Sequence, residues 1–69
     1  MQVFAANLRA RRLELGLSQE ALAERAGLDR TYVSSCERGL RNVTLTSLAQ
    51  LGGALGVEAR DLLKADENE

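Results

Sequence analysis

Three helix starts in this 69-residue chain share one punctuation. Ser18, Asp29 and Thr44 each stand just before a run of apolar residues at helical spacing. These residue types accept a hydrogen bond from a free amide of the first turn. Each is preceded by an apolar residue (Leu17, Leu28, Val43), and four positions on comes another (Leu22, Val33, Leu48). At that spacing the residue before the cap packs onto the new helix and fixes the angle of entry. Gly27, Gly39 and Gly56 fall where the runs end. There glycine takes the left-handed closing conformation without a steric penalty. The pattern predicts helices over 19–26, 30–38 and 45–55. Only three or four residues join the first two of these, which forces them to cross steeply, as in a helix-turn-helix unit.

Two further helices complete the reading. One is predicted over 3–15, with Phe4, Leu8 and Leu15 on one stripe, Arg12 beside it, Leu13 opposite, and Gly16 closing it. The other is a short segment over 59–64 that offers Leu62 and Leu63. The chain contains no proline and no strand-like alternation. The expected fold is all-α, a single domain of four to five helices over 1–64, followed by an acidic tail over 65–69. A domain of this size buries only about 60 % of its unfolded surface. Phe4 and Tyr32 are the only aromatic residues, so the core must be aliphatic.

One cysteine and no histidine narrow the chemistry. An intrachain disulfide is impossible, histidine-based nucleophilic catalysis is excluded, and no ordinary zinc site is expected. No cofactor, metal or small-molecule ligand is expected, and the chain does not read as an enzyme. It has no signal-like segment and no apolar run of about 18 residues, so the expected location is the cytoplasm and no membrane partner is expected. The net charge of −1 conceals an asymmetry: residues 1–57 carry seven arginines against five acids, and residues 58–69 two basic against five acidic groups. A solvated acidic tail is the preferred reading of that asymmetry.

The segment "DRTYVSSCERG" (29–39) is an unusual helix, because Thr and Ser hydroxyls compete for backbone groups and are mediocre helix formers. On a helical wheel Val33, Cys36 and Leu40 form the inward stripe. Thr31, Ser35 and Arg38 lie nearly opposite, with Arg30 and Ser34 flanking. Cys36 on the inner side behaves as a small hydrophobe, a reading preferred to a redox switch. Short polar side chains on the outer side let the helix backbone approach another surface. In a DNA major groove Ser and Thr pair with several base edges, and Arg takes guanine in a bidentate grip. Gln19, in the first turn of the preceding helix, suits a phosphate, because free amides there already favour an anion.

The stretch "LSQEALAERAGLDRTYVSSCERGLRNVTLTSLAQLGGALGV" (17–57) resembles the lambda-repressor-like helix-turn-helix family, the Xre or Cro/C1 type. Gln19, Ala23, Gly27, Glu37, Gly39 and the "ALGV" ending carry the likeness. Within that family "LDRTYVS…ERG.RN" looks most like the controller proteins of restriction–modification systems and their small free-standing relatives. The resemblance implies that Arg30, Thr31, Ser34, Ser35 and Arg41 reach base edges. It implies that Gln19, Tyr32 and Asn42 contact phosphates, and that Arg12 pairs with Glu37 to tie the first helix to the third. It also implies homodimer contacts in the C-terminal helices, with Leu62 and Leu63 as candidates. The chain departs from the pattern at Cys36, usually branched aliphatic, and at Glu58, often proline in relatives, which weakens the expected start of the fifth helix. Gly52 and Gly53 interrupt the fourth, at about 1 kcal/mol each relative to alanine. Gly52 falls where close helix packing favours a small residue.

The function this implies is a sequence-specific regulator of transcription that binds double-stranded DNA as a homodimer at an inverted repeat. An autoregulatory restriction–modification controller is the narrower form of that expectation. The rival expectation is a protein-interaction module, such as an antitoxin or anti-repressor, using the same polar face.

Overall fold

The computed structural model describes residues 2–65. Five helices follow in order: α1 (Gln2–Glu14), α2 (Gln19–Ala26), α3 (Arg30–Glu37), α4 (Leu45–Leu55) and α5 (Ala59–Leu63). No strand occurs among the described residues. No helix there is long and apolar enough to cross a membrane. Positions 66–69 of the expected acidic tail lie outside the described residues.

The punctuation works as the sequence suggests. Ser18 Oγ accepts from the Ala21 amide at 3.0 Å, Asp29 Oδ2 from the Thr31 amide at 2.9 Å, and Thr44 Oγ1 from the Ser47 amide at 3.0 Å. Leu22, Val33 and Leu48 are buried, and Leu17, Leu28 and Val43 pack against the same core. Gly27 and Gly56 close α2 and α4 at φ of 73° and 72°. The core gathers around Phe4 and Leu8 of α1, Leu22 of α2, Val33 and Cys36 of α3, Leu51 and Leu55 of α4, and Leu62 of α5.

Three expectations are corrected. Leu15 is not part of the α1 stripe: the helix stops at Glu14 and Leu15 is 41 % exposed. Leu40 is not inward either. Helix α3 ends at Glu37, Gly39 turns the chain at φ 73°, and the helical period is lost before Leu40, which is 67 % exposed. The start of α5 is not weak, because the Asp61 carboxylate accepts from the Glu58 amide at 3.0 Å. A carboxylate three residues into the helix thus serves a donor that a proline at this position would not have.

The two glycines of α4 differ. A Cβ on Gly52 would lie 2.9 Å from the Val57 carbonyl oxygen and 3.4 Å from the Ala59 nitrogen, so glycine is what lets the α4–α5 connection fold back onto α4. A Cβ on Gly53 would meet nothing within 4 Å.

Candidate nucleic-acid interface

Helix α3 has a rigidly held inner side and a solvent-facing outer side. At its C-terminal end Glu37 receives a bidentate grip from Arg12 of α1: Nε to Oε2 at 2.6 Å and Nη2 to Oε1 at 2.9 Å. The two side chains are 9 % and 3 % exposed. Arg12 Nη1 also donates to the Leu17 carbonyl at 2.7 Å. The hydrogen bonds to Glu37 hold the Arg12 guanidinium above its already high ordinary pKa, against the opposing effect of burial. Among the described residues no buried side-chain polar atom lacks a partner, the condition under which a buried ion pair is tolerable.

Gln19 joins this network, donating from Nε2 to Glu37 Oε1 at 3.1 Å. The side chain expected to reach a phosphate is therefore tied to the end of α3, with one amide hydrogen and its carbonyl oxygen still available. The local sequence gives no sign of this contact, which joins residues 18 positions apart.

The outer side begins at the N-terminus of α3. Arg30 and Thr31 are exposed, Ser34 and Ser35 half-buried, and Arg38 exposed. The Thr31 hydroxyl donates to Asp29 Oδ2, the carboxylate that caps the helix. These bonds from Thr31 lower the Asp29 pKa. The hydroxyl hydrogen is thereby committed, while the oxygen of this exposed side chain can still accept a hydrogen bond. Val33 and Cys36 are fully buried beneath this surface. Burial pushes the Cys36 thiol above its ordinary pKa, which suits a packing role.

Arg41 and Asn42, in the loop that follows α3, are both exposed. The Arg41 guanidinium lies 4.9 Å from the centre of the Tyr32 ring, within reach of a cation–π attraction. Tyr32 itself is half-buried and packs against the core. Arg30, Thr31, Ser34 and Ser35 thus share α3, and Tyr32 and Arg41 touch. Gln50 of α4 was not anticipated: its Nε2 donates to the Ala26 carbonyl at 3.1 Å and braces the turn between α2 and α3. A lone amide in a helix that carries no charged residue was the available signal.

The candidate dimer contacts divide. Leu62 is 2 % exposed and belongs to the core of this chain, so it offers no surface to a second copy. Leu63 is 48 % exposed.

The helix-turn-helix family model matches residues 8–62. The chain belongs to the Xre-type helix-turn-helix family. It is 49 % identical over 61 residues to a hypothetical transcription factor of Neisseria meningitidis serogroup B, an alignment that covers 88 % of this chain and 58 % of that protein. The chain therefore spans little more than half the length of that relative. Among solved structures it resembles the restriction–modification controller protein C.AhdI of Aeromonas hydrophila, with a TM-score of 0.86, 49 % identity, and coverage of 88 % of this chain and 92 % of that one. It also resembles SinR, a master regulator for biofilm formation solved in complex with DNA. That match has a TM-score of 0.85, 34 % identity, and coverage of 88 % of this chain and 98 % of the other. The Xre-type family is one of DNA-binding regulators, and the all-helical fold expected from the sequence is the fold of these relatives.

Proposed function

We propose that this chain is a sequence-specific double-stranded DNA-binding regulator of transcription that acts in the cytoplasm as a homodimer on an inverted repeat. The observation that carries the reading is the two-sidedness of α3. Its inner side is locked by the Arg12–Glu37 pair and by Val33 and Cys36, while Arg30, Thr31 and Arg38 stand exposed on a short-side-chain helix. A rigid helix with small hydroxyl side chains can enter a major groove closely, with arginines placed to reach guanine. Arg30, Thr31, Ser34, Ser35 and Arg41 are assigned to base edges. Gln19, Tyr32 and Asn42 are assigned to phosphates, Gln19 through its remaining hydrogen.

The likeness to C.AhdI supports the narrower reading, an autoregulatory controller of a restriction–modification system. A dimer is supported by α4, which carries no charged residue and exposes Leu45, Ala49 and Gly53 along one side. Leu45 is 86 % exposed, and Leu63 of α5 adds a second apolar side chain. To bind an inverted repeat, such a dimer would have to hold its two reading helices about 34 Å apart, the spacing of successive major grooves.

The test is selection of bound duplexes from random DNA, run in parallel with wild-type protein and Arg30→Ala. The expected outcome is an inverted repeat for the wild type, with one position per half-site relaxed in the variant. A bidentate arginine contact is worth roughly 1–3 kcal/mol of discrimination. Folded protein that enriches no motif at moderate salt would overturn the reading and favour a protein-docking module.

A further inference from the structure

Both helices assigned to the dimer are held at their C-terminal ends by side chains of α1. Arg11 Nε donates to the carbonyl of Leu55, the last residue of α4, at 3.1 Å. The Asn7 amide nitrogen donates to the Leu62 carbonyl at 2.9 Å and to the Lys64 carbonyl at 2.8 Å. Both hydrogens of that amide are therefore spent on the end of α5.

Helix α5 needs this support. Five residues are far too few for a helix to hold itself, and its final carbonyls have no partner within the helix. Asp61 on the Glu58 amide holds its start, Ala59 and Leu62 pack against the core, and Asn7 holds its end. Five residues along α1 from Asn7, Arg12 holds Glu37 at the end of α3. One helix thus binds the reading helix with one side chain and the end of α5 with another. In a dimer built on α4 and α5, the distance between two reading helices depends on that strut.

We propose that Asn7 is a positioning residue for self-association: its two hydrogen bonds fix α5 relative to α3, so that two copies present their reading helices at the spacing of the operator. The proposal rests on the dimer reading above. Asn7 touches neither DNA nor the partner in this scheme and acts through α5.

The experiment compares wild type, Asn7→Ala and Asn7→Ser. Binding to a half-site duplex and to the selected inverted repeat is followed by fluorescence anisotropy, self-association by sedimentation equilibrium, and local order by amide hydrogen exchange. For Asn7→Ala the expected result is at least tenfold weaker binding to the repeat, with half-site binding within twofold of wild type. A shift toward monomer and faster exchange in α5 but not in α3 should accompany it. Asn7→Ser keeps one donor and should fall between. Unchanged binding to the repeat and unchanged self-association in Asn7→Ala would overturn the proposal alone. Equal loss on half-site and repeat would also overturn it, since that marks general destabilisation. A wild type that binds the repeat only as a monomer would overturn the dimer reading, and the proposal with it.

Discussion

The two sides of α3 obey different rules although they share eight residues. On the inner side, Glu37 shares its two oxygens among Arg12 and Gln19, and Cys36 and Val33 are fully packed. On the outer side Arg30 and Arg38 are exposed, and Thr31 bonds only to the cap beside it. The inner side spends its polar groups within the molecule and fixes where the helix lies. The outer side leaves its arginines exposed to solvent. A substitution should therefore cost stability on one side and recognition on the other.

The largest effect that could break this contrast is Glu37→Ala. It leaves the buried Arg12 charge without its carboxylate, for an expected loss of about 3–5 kcal/mol. Urea unfolding measures it. The double variant Arg12→Met, Glu37→Leu should lose much less, because a well-packed apolar pair avoids the desolvation of two charges. A single variant that costs no more than the double would show that the pair does not fix α3.

Neighbouring glycines on α4 repeat the contrast and sharpen it. Gly52→Ala forces a Cβ against the Val57 carbonyl, with an expected cost of about 1–3 kcal/mol from overpacking. Gly53→Ala meets open space and should stabilise by about 1 kcal/mol. Thermal unfolding of the two variants should move in opposite directions. If Gly53 lies in the dimer contact, the same alanine should weaken binding to the inverted repeat while raising the melting temperature.

The smallest effect concerns Asp29, whose pKa is lowered by Thr31. A carboxyl group with a depressed folded-state pKa binds its proton more weakly when folded than when unfolded. Its contribution is complete above the unfolded value of about 4 and is lost as pH falls through the lower folded value. Asp29→Ser keeps a capping oxygen but does not titrate. Protection of the amides at the start of α3, taken relative to their intrinsic exchange rates at each pH, should therefore fall in acid for the wild type and stay flatter for the variant. Identical acid profiles would show that the cap does not depend on the carboxylate charge.

Legibility in the sequence followed distance along the chain. Caps, staples and closing glycines lie within about one turn of what they control, and Ser18, Asp29 and Thr44 were readable for that reason. Leu40 misled because a helical wheel runs on past the turn at Gly39, and Leu15 because it stands at the very end of α1, just ahead of the turn at Gly16, where it is left exposed. The resemblance supplied the Arg12–Glu37 pair. It did not supply the Gln19 bond to Glu37, the stack of Arg41 on Tyr32, or the grip of Asn7 on α5.

By itself, then, the sequence determined the caps and closing glycines of the helices, and their bounds to within about one residue, because capping and periodicity are short-range properties of the chain. It also determined that α3 would have one apolar and one polar side. Only the tertiary structure decided which polar groups were already spent. Leu62 became core rather than contact, Gln19 a brace on Glu37, and Asn7 a clamp on α5, because each choice depends on residues 18 to 57 positions away meeting across the packed helices.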